Sequence, residues 1–355
     1  MIGAQNMNNP FSLVFGKEPQ MLINTYEQYN SIKDTFLDEN PVSNTYLITG
    51  VRGSGKTVLL TRIEKYFDSL QDFIVVDINP EMDILEYLAS SIYEKSNSKF
   101  KFLKTEFSFS FNGVSISLSG EKPISNVIIL LDKLLTTIKK NNKKVLICID
   151  DVVSNIYVRA FVQQFQIMLR KDYPIFLLMT GLYENVRNLQ NEKSLTFLYR
   201  APKIQINNLS LISIAESYEK KLNVEKKDAI KMSKVTNGYA FAYQVLGYIL
   251  FEREKKVVDY NVLKQFDTYL REYVYEKVYF DLSETERKIL RFLANDNDKK
   301  VASIIDETGI SRESMSQYRD KLIKKGLLNK VGWGKLDFAL PRFREYILAQ
   351  SEFEV

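Results

Sequence analysis

The sequence predicts a parallel α/β domain in the N-terminal part of the chain, and three observations support this prediction. A glycine-rich stretch, Gly50 to Thr57, lies between an apolar strand pattern and a helical pattern. Short apolar strands alternate with helical patterns from about residue 20 to residue 208, as is typical of a parallel sheet. Residues 210–278 then show helical periodicity alone, and a small helix-and-hairpin unit follows from about residue 282.

The elements of the first part can be placed individually from apolar runs and helical spacing. We predict strands at 45–49, 73–78, 145–150, 175–180 and 203–206. We predict helices near 24–39, 56–70, 82–96, 124–140, 155–171 and 183–191. With 355 residues the chain is too long for one ordinary domain. We expect domains at 1–208, 209–280 and 281–355.

Composition limits the possible chemistry. The chain is 45% hydrophobic and 26% charged, which fits a soluble globular protein. Its longest apolar runs are too short to span a bilayer and its N-terminus is polar, so we expect a cytoplasmic protein. The absence of histidine excludes histidine-based triads and histidine general bases. The single Cys148 lies in an apolar run, so we expect it to be buried and inert.

The stretch from Gly50 to Thr57 matches the phosphate-binding pattern G-x-x-x-x-G-K-[ST] at every fixed position. Glycines let a backbone fold around a phosphate, and the following helix N-terminus adds partial positive charge. We expect Lys56 to reach the β- and γ-phosphates of ATP and the Thr57 hydroxyl to bind Mg²⁺. The predicted nucleotide-binding residues are Gly50, Arg52, Gly53, Ser54, Gly55, Lys56, Thr57 and Val58.

Two further strand ends carry candidate site residues. The apolar run 145–149 is followed by Asp150 and Asp151, at the end of the strand where ligands bind in open α/β sheets. We predict that Asp150 binds the metal and that Asp151 orients or deprotonates the attacking water. Thr180 follows the run 175–179, and two interpretations stay open. It bonds the γ-phosphate or the attacking water, or it is a helix N-cap or turn residue.

A β-hairpin is predicted as an insertion at about 101–119. Alternating residues 107–111 and 114–118 flank Asn112-Gly113, a strong hairpin signal. Either the hairpin packs on the parent sheet, or residues 105–118 bind a protein partner or a neighbouring subunit of a homo-oligomer.

The phosphate-binding loop and the Asp150-Asp151 strand end resemble those of AAA+ and STAND ATPases, in particular those similar to archaeal origin-recognition proteins. The entry segments Asn9-Pro10-Phe11 and 15–19 look like the lead-in that packs near adenine in that family. The run 196–202 and a helical lid with Asn237-Gly238-Tyr239 are also similar. The resemblance covers roughly residues 9 to 255 and implies an AAA+-like P-loop NTPase sheet followed by an all-helical lid.

The resemblance also implies functional roles. Arg200 would act as an arginine finger toward a neighbouring subunit's nucleotide, or else would be a solvated or salt-bridged side chain. Two positions depart from the family pattern. The family usually has Glu where this chain has Asp151, and several members have Arg after the lid glycine, which is absent after Gly238. These departures imply slow, switch-like hydrolysis.

The pattern from Leu282 to Leu340 predicts a winged helix-turn-helix. Ser283 and Glu286 form a capping-box pattern, and residues 331–336 read as the wing. From Ser311 to Arg344 there are nine basic and three acidic side chains, an excess of six positive charges that is typical of a duplex-DNA interface. The predicted DNA-binding residues are Arg312, Ser314, Gln317, Arg319, Lys324 and Lys335. The alternative is a protein-contact module with solvated lysines.

These interpretations give three hypotheses. The first is a slow Mg²⁺-dependent ATPase that works as a conformational switch and binds duplex DNA through the winged helix. The second is a signalling or defence switch whose winged helix and hairpin bind proteins. The third is a nucleotide-binding scaffold with negligible hydrolysis.

Overall fold

The computed structural model describes residues 9–14, 26–100, 109–111, 114–116, 126–296 and 300–353. These residues fall into two compact units. The sheet unit comprises residues 26–49 and 56–205. The helical unit comprises residues 9–14, Gly50–Gly55 and 206–353.

The strands of the sheet unit are β1 (Thr45–Thr49), β2 (Phe73–Ile78), β3 (Phe109–Phe111), β4 (Val114–Ile116), β5 (Lys144–Ile149), β6 (Ile175–Gly181) and β7 (Lys203–Gln205). Five of them form a parallel sheet in the order β2-β5-β6-β1-β7. Strand β6 lies between β1 and β5, and both β5 and β6 are almost entirely buried, because helices cover both faces of such a sheet.

Helices of the sheet unit connect these strands. Asn126 and Asn155 cap the N-termini of two of them with their side-chain oxygens. The helices are α1 (Tyr26–Leu37), α2 (Lys56–Asp68), α3 (Ile84–Phe100), α4 (Val127–Lys140), α5 (Ile156–Arg170) and α6 (Tyr183–Asn191), with a 3₁₀ helix at Lys193–Arg200. The predicted strands and helices of this part are confirmed to within a few residues.

The inserted hairpin is confirmed as far as the described residues show it. Strands β3 and β4 pair in antiparallel fashion, with Phe109 opposite Ile116 and Phe111 opposite Val114. The rest of the predicted 101–119 insertion, which includes the other residues of the 105–118 partner surface, lies outside the described residues. Its two predicted roles therefore stay predictions.

The helical unit has one continuous core that extends from the first helices after the sheet to the C-terminal helix. A π-helical turn at Arg271–Tyr275 joins two of its helices. The elements are α7 (Leu211–Leu222), α8 (Lys226–Thr236), α9 (Ala240–Glu252), α10 (Tyr260–Leu270), α11 (Glu276–Phe280), α12 (Glu284–Asn295), α13 (Val301–Thr308), α14 (Arg312–Lys324), β8 (Leu328–Gly332), β9 (Lys335–Phe338) and α15 (Phe343–Phe353). In the described ranges, no helix combines the length and apolarity that crossing a bilayer demands.

Capping residues set the ends of the C-terminal helices where the sequence predicts them. Ser283 and Glu286 form the reciprocal bonds of a capping box at the start of α12. Helix α13 ends at Gly309, and the Ser311 hydroxyl accepts the Ser314 N–H at 3.2 Å to cap α14. Strands β8 and β9 pair as an antiparallel hairpin, so the predicted order of three helices and a hairpin is observed.

Candidate functional site

The loop Gly50–Gly55 follows β1 directly and belongs to the helical unit. Gly53 has φ of +70°, and a Cβ there would collide with the Tyr239 hydroxyl, so this position requires glycine. A Cβ at Gly55 would meet no atom within 4 Å. The buried Ser54 Oγ has no hydrogen-bond partner among the described residues. A phosphate-binding loop needs room beside its backbone, and the loop has such room at Gly55.

Residues of the helical unit hold two carbonyl groups of this loop. The Tyr239 hydroxyl donates a hydrogen bond to the Arg52 carbonyl, and the Phe241 N–H donates to the Gly53 carbonyl at 3.1 Å. Burial raises the pKa of Tyr239 well above its usual range, so the hydroxyl stays protonated and remains a donor. The Arg52 and Gly53 carbonyls therefore accept hydrogen bonds from residues at the N-terminus of α9. The conformation of the loop depends on these two bonds.

Two weaker contacts connect the loop to the C-terminal helices and hairpin. The Arg52 guanidinium lies 3.7 Å from the Asp281 carboxylate, and Asp281 also pairs with Lys277 at 2.9 Å. A Cβ on Gly326, just before β8, would lie 3.4 Å from Val51. The loop thus contacts both the lid helices and the segment that carries the predicted DNA-binding residues.

In the sheet unit, four predicted residues come together, one from the start of α2 and three from the ends of β5 and β6. The Thr57 hydroxyl, on the first turn of α2, donates to Asp150 Oδ2 at 2.8 Å. The Thr180 hydroxyl donates to Asp150 Oδ1 and accepts the Asp151 N–H at 3.1 Å. Both carboxylate oxygens of Asp150 are therefore oriented by hydroxyl groups from two other elements.

Thr180 and Asp151 differ in their surroundings. Thr180 is fully buried, and its carbonyl also accepts the Val152 N–H at 2.8 Å. Asp151 is exposed and has φ of +51°, an uncommon conformation that aspartate tolerates better than most residues. The structure thus brings Thr180 together with the acidic residues, while its predicted bond to phosphate or water stays a prediction.

The Thr57 hydroxyl and the Asp150 carboxylate supply oxygen atoms, the type of ligand that Mg²⁺ prefers. Among the described residues, no group of three or more cysteine or carboxylate side chains is placed to hold a metal. Mg²⁺ does not require such a group, because it is usually held by one or two protein oxygens together with waters and substrate phosphates.

Sequence reasoning missed two acidic residues beside this site. Burial, together with the negative charges of Asp77 and Asp150, raises the pKa of Glu64 to about 7. The pKa of Asp77 is raised as well, mainly by burial and then by the charge of Asp150. A signal was present, because Glu64 lies seven residues after Thr57 and so falls on the same face of α2. Cys148 is fully buried next to Glu64, as expected of an inert thiol.

The other predicted nucleotide-binding residues have varied surroundings. Lys56, the first residue of α2, is only 9% exposed, and Val58 is half-buried. Arg200 ends the 3₁₀ helix and is exposed. In the entry segment, Phe11 packs against Tyr218 and Tyr243 in the helical core, whereas residues 15–19 lie outside the described ranges.

The predicted DNA-binding residues lie mostly on the surface of α14 and the hairpin. Arg312, Gln317, Lys324 and Lys335 are exposed. Ser314 is half-buried and its hydroxyl bonds to that of Ser311 at 3.1 Å. Arg319 is also half-buried and pairs with the adjacent Asp320 at 3.0 Å.

Several other cations of this segment have structural partners. Lys321 and Lys325 lie 3.3 Å and 2.7 Å from the buried Glu286 carboxylate. Arg342 pairs with Asp267 at 2.6 Å and with Glu345 at 2.8 Å. The positive charge available at the surface is therefore smaller than the composition of this segment suggests.

Comparison with solved structures places this architecture in a known fold class. The ORC2 protein of Aeropyrum pernix, solved as ADPNP-ADP complexes, has a TM-score of 0.58 at 15% identity, over 96% of this chain and 97% of that one. Cdc6p of Pyrobaculum aerophilum has a TM-score of 0.49 at 14% identity, over 94% and 96% of the two chains. The chain has the AAA+ P-loop fold, so the predicted resemblance is confirmed at the level of the fold.

Sequence comparisons add one local match. Residues 272–347 match a protein family described as a domain of unknown function, DUF8462. No curated protein is significantly similar to this chain in sequence.

Proposed function

We propose that this protein binds ATP with Mg²⁺ through the motif Gly50–Thr57, hydrolyses it slowly, and uses the exchange of nucleotide as a conformational switch. The observation that carries the proposal is the pair of hydroxyl groups, from Thr57 and Thr180, that orient Asp150 from two separate elements. A metal-binding carboxylate held in this way needs little reorganisation when its ligand arrives. The nucleotide complexes of Aeropyrum pernix ORC2, which has the same fold, support the proposal.

Each residue has a proposed role in this reaction. Lys56 binds the β- and γ-phosphates, and Thr57 and Asp150 hold Mg²⁺, which when bound neutralises phosphate charge. Asp151 orients the attacking water and accepts its proton. The Thr180 hydroxyl donates a hydrogen bond to Asp150 and so positions that carboxylate. The short side chain of Asp151 favours slow hydrolysis, since it reaches one methylene less far than glutamate.

Two further parts of the proposal concern the assembly of copies of the chain and its division into domains. We propose that exposed Arg200 extends to the nucleotide of a neighbouring copy in a homo-oligomer. We also propose three domains, at 1–208, 209–280 and 281–355, of which the last is a winged helix with α14 as recognition helix and β8–β9 as wing.

Substitution of Lys56 by alanine tests nucleotide binding. We expect Lys56→Ala to abolish binding of a fluorescent ATP analogue, because the motif loses the lysine that binds the β- and γ-phosphates in this proposal. Lys65→Ala is the matched control, since it removes the same charge from an exposed position of α2. Thermal unfolding checks that both variants fold. Equal affinity in Lys56→Ala and the parent protein contradicts the assignment.

We further propose that the winged helix binds duplex DNA, mainly through phosphates. A variant with Arg312, Arg319, Lys324 and Lys335 all changed to alanine removes up to four phosphate contacts. The slope of log affinity against log salt should then flatten by about 3 to 4. The charge-matched control changes four exposed lysines of α8, namely Lys226, Lys227, Lys231 and Lys234. Gel shifts with ATP, ADP and no nucleotide complete the test, and a parent protein that binds no DNA at low salt favours the protein-binding switch.

A further inference from the structure

The turn of the β8–β9 hairpin carries an exposed tryptophan in basic surroundings. All side chains from Asn329 to Lys335, here called the hairpin tip, are exposed. Trp333 is the only tryptophan in the sequence, and its side chain is fully accessible, at 101% relative exposure. Tryptophan is highly buried on average, so complete exposure of this one is informative.

The hairpin tip is held firmly by neighbouring backbone. Strand β8 pairs with β9 through Lys330 opposite Leu336 and Gly332 opposite Lys335, with a register shift between Lys330 and Gly332. The Val301 N–H, at the start of α13, donates to the Gly334 carbonyl at 2.8 Å, and Gly334 has the positive φ that the turn requires. Trp333 therefore projects from an anchored support, which reduces the ordering cost of a contact made there.

The chemistry of the hairpin tip indicates which partner it suits. Lys330 and Lys335 flank the tryptophan on the two strands, and residues 329–335 include no acidic side chain. The nearest acid along the chain, Asp337, accepts a hydrogen bond from the Phe338 N–H. A flat aromatic ring between two cations is complementary to a polyanion that also offers flat aromatic faces, which is the chemistry of a nucleic acid.

A membrane or an apolar protein groove fits these observations less well. Binding to either depends on a broad apolar surface, and the hairpin tip offers only Val331 and Trp333. Stacking on a base needs no more than one ring and adjacent phosphate contacts.

We propose that Trp333 stacks on a nucleobase when the protein binds DNA, so that the hairpin tip contacts bases as well as phosphates. The proposal rests on the DNA binding proposed above and adds a contact preference to it. An indole can insert only where a base step opens, so duplexes with an unpaired base should bind more tightly than fully paired duplexes of the same length.

The single tryptophan makes a direct test possible with the full-length protein. Its emission should be quenched as a DNA duplex with one unpaired base is added, because stacking on a base brings the indole into contact with a quencher. Titration with vesicles of anionic phospholipid is the parallel arm. A blue shift with vesicles and no change with DNA overturns the proposal.

Substitutions separate base stacking from phosphate binding. By anisotropy of labelled DNA, Trp333→Ala should weaken binding to the unpaired-base duplex by about tenfold or more while keeping the salt slope. Lys335→Ala should instead flatten the slope by about 1. Trp333→Phe should restore part of the lost affinity. Because Trp333 is fully accessible and Lys335 is exposed, all three variants should unfold at the parent temperature.

The outcomes distinguish this proposal from the function on which it rests. Unchanged affinity in Trp333→Ala together with unchanged emission overturns the stacking proposal and leaves DNA binding intact. A parent protein that binds neither duplex at low salt overturns both.

Discussion

The hydrogen bond from Tyr239 to the phosphate-binding loop gives the most informative test of how the loop is held. Tyr239 is 1% exposed, and its hydroxyl donates to the Arg52 carbonyl. Tyr239→Phe removes that oxygen and keeps the ring, so packing against Gly53 and Phe241 changes little. We expect the variant to fold and to hold its loop less firmly.

The size of the effect follows from the burial of this contact. Loss of a donor to a buried carbonyl costs about 1 to 3 kcal/mol. The lower end applies here, because the bond is only partly buried and the neighbouring Phe241–Gly53 bond remains. If about 1 to 1.4 kcal/mol of that cost is lost from the stability of the loop conformation that binds phosphate, ATP affinity should fall by about five- to tenfold. Titration with a fluorescent ATP analogue measures the loss.

Tyr218→Phe supplies a matched control in the same helical unit. Tyr218 is fully buried and its hydroxyl donates to the Tyr243 carbonyl at 2.8 Å. Its loss should lower the unfolding temperature to a similar extent and leave ATP affinity unchanged. If Tyr239→Phe and Tyr218→Phe both lose stability and both bind ATP like the parent protein, the loop does not depend on Tyr239 and the reasoning is refuted.

Further predictions concern the acidic residues of the sheet unit. Asp151→Asn should slow phosphate release with ATP still bound, whereas Asp150→Asn should weaken Mg²⁺-dependent binding; equal effects on binding would contradict the separate roles. Glu64 has a folded pKa of about 7 against an ordinary value of 4.5, so its folded state retains a proton that the unfolded state loses. Stability should therefore fall as pH rises from 4.5 to about 7 and level off above. By urea denaturation, the unfolding free energy of Glu64→Gln should exceed that of the parent by up to about 3 kcal/mol near pH 8 and by little near pH 4.5. A difference that does not change with pH would contradict the raised pKa of Glu64.

Local pattern alone was enough to predict most of the elements. Strand β1 occupies the predicted residues 45–49, because an apolar run bounded by a glycine-rich turn contains its own start and end signals. The capping box at Ser283 and Glu286 formed as predicted for the same reason, since its two partners are three residues apart. The nucleotide motif likewise needs only eight consecutive residues to be identified.

Contacts between distant parts of the chain were decided by the tertiary structure. The sequence placed Thr180 at a strand end, but only the order of β5 and β6 in the sheet brings its hydroxyl to Asp150, thirty residues earlier. The charge of Glu286 was visible in the sequence, while its pairing with Lys321 and Lys325 was not. In the sequence, Tyr239 was only part of the lid pattern Asn237-Gly238-Tyr239, and packing placed its hydroxyl on a loop 187 positions away. Periodicity reports which face of an element is buried, and it carries no information on which distant polar group that face will meet.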